Sequence, residues 1–330
     1  MKQILTVSAA MLGIILIVGW QATGAEQASL DEASSQLGIL HNVSVDGMSE
    51  RDLSVLAEPA QLQVANVIPF RQITEELTDP GITAESAMVV DLSSGQVLFE
   101  RDSYSRRQLA SITKLMTAVV VMENYDWGSG EYIAMTPTAF ATYGGNSLLV
   151  GERFRVEDLM KALLMVSSND AATLLAEHFG GGSEAVFIDM MNAKASELGL
   201  SGTQFRNPHG LDDPNDEHYS TSSDVVALTK YVYENHPELF EIMMIERTEI
   251  ATSEGRPVLI GNTSTLLDMP GMLGGKTGLT DDALETFAAV VEVQERPLAI
   301  VVLKSGLGGY RFLDTSLLRD WVDINFRVQQ

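Results

Sequence analysis

Apolar residues are spread along the chain in three different ways. From Gln3 to Ala25 they form a nearly continuous uncharged run with no amphipathic period, preceded by one cation, Lys2. The next stretch, residues 26–78, opens on the acidic "EQASLDEASSQ". It continues through "MSERDLSVLAEPAQLQVANVIPF", whose short apolar patches sustain no period. From residue 79 the pattern becomes that of a folded domain. Met88–Asp91 and Val97–Glu100 are apolar-rich runs around "SSG", which predicts a β-hairpin. A helix is predicted from Ser111 to about Tyr125. Helical spacing then recurs in "VEDLMKALLMVSSNDAATLLAEHF", "SEAVFIDMMNAKASELG" and "SSDVVALTKYVYENH". Strand patterns return in "MLGGKTG", "ETFAAVVEV" and "LAIVVLKS", the last two joined by the turn "QERP", and "FLDTSLLRDWVDINF" closes the chain as a helix.

Two strands from the start and three from the end predict one antiparallel sheet built from both ends of the domain. The helical middle becomes an insertion packed against it. The expected organisation is a leader at 1–25, a stalk or linker at 26–78 and a folded domain at 79–330. In the leader, Thr23 and Ala25 are small enough for the −3 and −1 positions of a cleavage site, so the run reads as a secretory signal. It is also long enough to remain as a single-span anchor. Either reading places the rest of the chain outside the cytoplasm.

Charge and composition narrow the partners. The formal net charge of −24 argues against nucleic acid or an anionic membrane surface. An anionic small substrate is still compatible, provided that cations gather locally. The absence of cysteine excludes disulfides, a thiolate nucleophile, cysteine metal sites and a lipobox.

Candidate chemistry begins at "LASITK", where Ser111 and Lys114 stand three residues apart ahead of an apolar helix. Alone, S-x-x-K is common, and it fits a capping serine followed by a snorkelling lysine. Two further motifs change that reading: "SSN", Ser167 to Asn169, and "KTG", Lys276 to Gly278, in that order and at spacings of roughly fifty and a hundred residues. A serine hydroxyl needs a nearby base to become a nucleophile. On a helix Lys114 lies one turn from Ser111 on the same face, and burial together with a second cation, Lys276, would lower its pKa.

With these motifs the chain resembles the serine D-alanyl-D-alanine carboxypeptidases, the low-molecular-mass penicillin-binding proteins. "MNAKASELGLSGTQFRNPHGLD", "HYSTSSDV" and "GGYRFLDTSLLRDWV" extend the resemblance to about residues 80–327. It implies the penicillin-recognising fold, an α/β (α+β) architecture with a five-stranded antiparallel sheet flanked by helices and an all-helical lobe. It further implies catalytic roles for Ser111, Lys114, Ser167 and Asn169, with Ser167 and Asn169 relaying a proton to the leaving D-alanine and holding the substrate amide. Substrate would pair with Lys276, Thr277 and Gly278 as an added strand. The N–H groups of Ser111 and Leu279 would form the oxyanion hole, and Arg311 would grip the terminal carboxylate unless it pairs with Asp314. The implied partners are peptidoglycan stem peptides and, as covalent inhibitors, β-lactams. No nucleic acid and no cofactor is implied. The setting is the periplasm or cell-wall space, with membrane association left to the N-terminal segment, because the chain ends soon after its last predicted helix.

Relatives usually place Ala-Gly and an aromatic or polar residue where this chain has "ALE", so Leu284 and Glu285 are departures beside the site that bear on substrate preference. Other features point to structure. The five histidines lack ligand spacing, "HGLDDPNDEH" lacks the calcium-loop order, and "FGGGSE" reads as a helix stop with Ser183 capping the next helix. "SGLGGY" lacks a βαβ setting, and Met190 and Met191 read as core. The lead activity is removal of a terminal D-alanine, the alternative an endopeptidase that cuts crosslinks. A class A β-lactamase would need an E-x-x-L-N element, which residues 170–275 lack. A non-catalytic wall-binding protein is disfavoured by the intact motifs.

Overall fold

The computed structural model describes residues 67–144, 148–212, 215 and 217–328, which fall in a unit spanning Ala65–Gln330. The leader at 1–25 and the stalk up to residue 66 lie outside the described residues. In chain order the strands and helices are β1 (Phe70–Gln72), β2 (Ser86–Asp91), β3 (Val97–Arg101), a 3₁₀ turn (Ala110–Thr113), α1 (Lys114–Asn124), β4 (Tyr132–Ala134), α2 (Pro137–Ala141), β5 (Arg153–Arg155), α3 (Val156–Leu164), α4 (Asn169–Phe179) and α5 (Glu184–Glu197). They continue with α6 (Ser222–Asn235), α7 (Pro237–Met243), β6 (Arg247–Ala251), β7 (Pro257–Gly261), β8 (Met272–Thr280), β9 (Leu284–Val293), β10 (Arg296–Ser305), α8 (Tyr310–Asn325) and β11 (Phe326–Val328).

The central sheet has five antiparallel strands in the order β3-β2-β10-β9-β8, so both ends of the domain build it, as the pattern of apolar runs predicts. Its two faces are buried in different cores. Met88, Val90, Ala288, Val290, Ala299 and Val301 pack with the helical lobe, including α1, α3, α4 and α6. Ala87, Val89, Phe287, Ala289, Leu298 and Ile300 pack with Leu318, Trp321 and Val322 of α8. Burial on both faces explains why "FAAVVEV" and "LAIVVL" read as continuous apolar runs and not as alternating ones. The lobe also carries two short antiparallel strand pairs, β4 with β5 and β6 with β7, which the sequence pattern did not signal. Ser183 caps α5 as expected, accepting from the Val186 N–H at 3.5 Å.

The helical middle contains a break that its periodicity conceals. The long run "VEDLMKALLMVSSNDAATLLAEHF" is two helices, α3 and α4, with Ser167 between them in the left-handed region at φ 62°. Such a backbone costs a non-glycine residue roughly 1 kcal/mol or more, and it places Ser167 at a corner facing the sheet's edge. The predicted Ser111 helix differs in a similar way. Ser111 sits in the 3₁₀ turn, entered through Ala110 at φ 48°, and the α-helix proper begins at Lys114.

The domain also begins earlier than residue 79. Phe70–Gln72 pairs with Phe326–Val328, and Phe70 is buried against the α8 face of the sheet. The Phe70 N–H donates to Gln96 Oε1 at 2.8 Å, and Arg296 Nη1 donates to the Ile68 carbonyl at 2.8 Å. Trp321 Nε1 donates to the Thr78 carbonyl at 2.6 Å. Residues 67–78, expected in the stalk, are therefore part of the folded unit. One buried aromatic on a three-residue strand creates no period, so only its long-range partners reveal it. A truncated variant beginning at Ala65 is expected to melt with the full-length chain. One beginning at Thr74 loses the Phe70 contacts and should melt about 10 °C lower, for a loss of about 3 kcal/mol. Calorimetry of the two compares them directly, and equal melting temperatures would return Phe70 to the stalk.

Candidate active site

The site forms where the 3₁₀ turn, the α3–α4 corner and the edge strand β8 meet. α1 runs through the core with Leu115, Met116, Ala118, Val119, Val120 and Val121 buried, which draws Lys114, its first residue, fully out of solvent. Its Nζ lies 2.9 Å from Ser111 Oγ, 2.6 Å from Asn169 Oδ1 and 2.6 Å from the His209 carbonyl. Asn169 is oriented by its other end, because Nδ2 donates to the Tyr143 carbonyl at 2.7 Å and so turns Oδ1 toward the lysine. Burial, followed by the neighbouring charge of Lys276, holds the Lys114 ammonium well below the usual lysine range, against an opposing pull from Asp170. A neutral amine has two N–H donors and one lone pair. The two carbonyl oxygens can only accept, so both donors go to them and the lone pair is left for the Ser111 hydroxyl.

A second serine–lysine contact stands beside the first. Lys276, also fully buried on β8, donates to Ser167 Oγ at 2.9 Å and to the Thr277 carbonyl at 2.9 Å. Burial and then the charge of Arg311 lower its pKa to about 7. Thr277 Oγ1 shares a 2.6 Å hydrogen bond with Thr263 Oγ1. Gly278 is required by contact: a Cβ there would stand 2.3 Å from Thr286 Oγ1, 2.9 Å from the Leu109 carbonyl and 2.9 Å from the Ser111 nitrogen. Strand β8 thus lies directly against the Ser111 turn. The Leu279 side chain that follows is exposed. Because β8 is the edge of the sheet, its outer side can accept a further strand.

Arg311, in the first turn of α8, donates from Nη1 to the Gly278 carbonyl at 2.7 Å. Asp314 is not its partner. That buried carboxylate accepts instead from the Thr83 N–H, the Thr83 hydroxyl and the Ala84 N–H at 2.8–2.9 Å. The acidic neighbour of Arg311 is Glu285, 3.9 Å from Nε. All nine residues singled out by motif or resemblance therefore converge on one locality, Arg311 through its bond to Gly278.

Sequence reasoning missed the groups that act through their backbone. The His209 carbonyl fixes Lys114, and Gly210 at φ 85° approaches so closely that a Cβ would lie 1.9 Å from the Ala110 carbonyl. The signal available was the turn composition of "NPHG". His209 is kept neutral, its pKa lowered to about 3 by burial and then by the charges of Lys114 and His218. Among the described residues no group of histidine, aspartate and glutamate side chains could hold a metal ion, and no helix is long and apolar enough to cross a membrane.

Comparison with known proteins agrees with this geometry. Residues 73–306 match the family described as D-alanyl-D-alanine carboxypeptidase. The chain is 32% identical over 265 residues to DacB2 of Mycobacterium tuberculosis, covering 79% of this chain and 87% of that protein. It is 34% identical over 210 residues to DacF of Bacillus subtilis, covering 61% of this chain and only 52% of that protein, so it spans about half of DacF. A D-alanyl-D-alanine endopeptidase of Escherichia coli is 32% identical over 254 residues, covering 74% of this chain and 79% of that protein. The solved D-alanyl-D-alanine carboxypeptidase of M. tuberculosis superposes with a TM-score of 0.69 at 31% identity, over 76% of this chain and 95% of that one. Penicillin-binding protein D2 of Listeria monocytogenes, in its ampicillin-bound form, superposes at 0.65 with 29% identity, over 74% of this chain and 99% of that one. The fold is that of the penicillin-binding DD-peptidases. The chain belongs to the D-alanyl-D-alanine carboxypeptidase family.

Proposed function

We propose that this protein is a serine D-alanyl-D-alanine carboxypeptidase that removes the terminal D-alanine from peptidoglycan stem peptides. The observation that carries the reading is the buried Lys114 Nζ, 2.9 Å from Ser111 Oγ and 2.6 Å from each of two carbonyl oxygens. Lys114 takes the Ser111 proton as Oγ attacks the carbonyl of the penultimate D-alanine. The resulting oxyanion sits between the N–H groups of Ser111 and Leu279. The peptide pairs with Lys276, Thr277 and Gly278 on the free edge of β8, while Lys276 and Arg311 offset the repulsion that a net charge of −24 exerts on an anionic substrate. Collapse expels the amine of D-alanine, protonated through Ser167 from Lys276, and Asn169 holds Lys114 in place. Water then hydrolyses the Ser111 ester. A β-lactam ring opens by the same attack, which makes these antibiotics covalent inhibitors; the Listeria relative has been solved in an ampicillin-bound form. The apolar leader at 1–25 and the acidic stretch at 26–66 suit export and an extracytoplasmic setting, with membrane association through that leader.

The endopeptidase reading is favoured by one observation, the 32% identity to the E. coli endopeptidase. Incubation with pentapeptide and with crosslinked muropeptides separates the two. Release of free D-alanine from the pentapeptide, with crosslinks left intact, is the expected result. Crosslink cleavage without D-alanine release would replace the carboxypeptidase reading.

A further inference from the structure

Glu285, on β9 beside the edge strand, is an acidic side chain that is buried, only 4% exposed. A buried carboxylate is costly unless it is paired and hydrogen-bonded. Here it reaches from β9 to the start of α8. Oε1 accepts from the Gly308 N–H at 2.9 Å and the Gly309 N–H at 2.8 Å, while Oε2 accepts from the Arg311 N–H at 3.1 Å. α8 needs such a cap, because its own N-cap is Gly309 at φ 92°, with no side-chain acceptor and no acidic residue in its first turn. The backbone around Glu285 is shaped to deliver it. Leu284 takes a left-handed φ of 52°, and β10 slips register between Val302 and Ser305 as it passes.

Arg311 is held at both ends. Its main-chain N–H is bound to Glu285 and its Nη1 to the Gly278 carbonyl of the edge strand. The Nε, 3.9 Å from the carboxylate, has no hydrogen-bond partner among the described residues, so the guanidinium keeps donor capacity unspent. We propose that Glu285 is a positioning residue. By clamping the Gly308–Arg311 turn it fixes the Arg311 guanidinium beside the edge strand, and it thereby sets selectivity for substrates that end in a carboxylate. The proposal rests on the reading of Arg311 as the group that grips the terminal carboxylate. The arginine is thus preorganised by the carboxylate that holds its own main chain.

The test compares kcat/KM for a D-Ala-D-Ala peptide with that for its C-terminally amidated counterpart in four proteins: wild type, Arg311→Ala, Glu285→Ala and the double variant. Arg311→Ala should collapse the acid-to-amide ratio by about 10- to 150-fold, the scale of one charge-assisted contact. Glu285→Ala should lower the ratio about tenfold, mainly through KM for the acid. In the Arg311→Ala background it should change the ratio less than about twofold, because it acts through the arginine. Glu285→Gln keeps one oxygen for Gly308 and Gly309 and should lower the ratio less, and it serves if the alanine variant does not fold. Equal losses on acid and amide, or a loss that adds fully to that of Arg311→Ala, would make Glu285 a structural cap and overturn the proposal. A ratio that rises would mean that the carboxylate only competes for the arginine, and would overturn it too. If Arg311→Ala leaves the ratio unchanged, the reading of Arg311 falls, and the Glu285 proposal with it.

Discussion

Ser111→Ala is expected to abolish acylation by penicillin and to reduce turnover of D-Ala-D-Ala peptides by a factor on the order of 10⁶, the scale on which a lost nucleophile is felt. The rival nucleophile is Ser167, which has its own lysine contact at 2.9 Å. Two features favour Ser111. Its partner Lys114 is held well below the usual lysine range by burial and then by the charge of Lys276. Ser111 is also the serine whose backbone nitrogen lies against β8, where Gly278 leaves no room for a side chain. The substitution removes one hydroxyl from a half-buried turn, so its effect on stability should stay within about 1 kcal/mol. Intact-protein and peptide mass spectrometry after penicillin treatment provides the check. A surviving adduct in Ser111→Ala, or an adduct on the Ser167 peptide of the wild type, would reassign the nucleophile.

Lys114→Met should slow acylation by about 10²- to 10⁴-fold, the usual contribution of a positioned base. The wild-type rate should follow a bell against pH. It rises as the Lys114 ammonium loses its proton, and it falls as Lys276, at about 7, loses its own and can no longer supply a proton to the leaving amine. A rate that is flat across the neutral range would exclude Lys276 as the source of the leaving group's proton. The same shift makes a prediction about stability. Because burial lowers the native pKa of Lys114 below its unfolded value, the unfolded chain binds more protons between the two values. The lysine therefore destabilises the fold increasingly as pH falls from about 10.5, the ordinary lysine value, through the native pKa, and the penalty is complete below it. Methionine carries no such penalty, although it leaves Asn169 Oδ1 and the His209 carbonyl without this donor. The variant should gain on the wild type in melting temperature as pH is lowered, the signature of a residue kept for chemistry at a cost in stability. A difference in melting temperature that does not change with pH would show that Lys114 is not desolvated in the native state.

How far the sequence could be read depended on whether a feature is local. Strands β2, β3, β9 and β10 were legible because each carries its own apolar run, and β8 because its glycine-rich motif stands just before the last two; five such segments with a helical insertion admit few arrangements. The break between α3 and α4 was not, since the apolar positions on both sides of Ser167 keep a helical rhythm and only the φ of 62° at that residue reveals the corner. The N-terminal strand was missed for a related reason. Phe70 is one buried residue in a stretch without period, and its partners Gln96, Arg296 and Val328 lie far along the chain.

At the site the division runs between residue identity and residue contact. Ser111, Lys114, Ser167, Asn169 and Lys276 could be named from the sequence because three short motifs occur in order at spacings that resemble those of a known family. The sequence by itself also determined the net charge of −24, against which an anionic substrate needs a local cation, and the uncharged apolar run from Gln3 to Ala25. Only the tertiary structure decided which atoms hold Lys114. One partner is a backbone carbonyl 95 residues away, and a carbonyl leaves no trace in the identity of the residue that bears it. The tertiary structure also decided between Asp314 and Glu285 as the neighbour of Arg311. Asp314, three residues on, is the closer in sequence, but it is spent on Thr83 and Ala84, while Glu285 is brought up by strand pairing 26 residues from the arginine. Sequence patterns record what each residue can do and which face of its own element it lies on. Partners across elements are chosen by packing, and that choice exists only once the chain has folded.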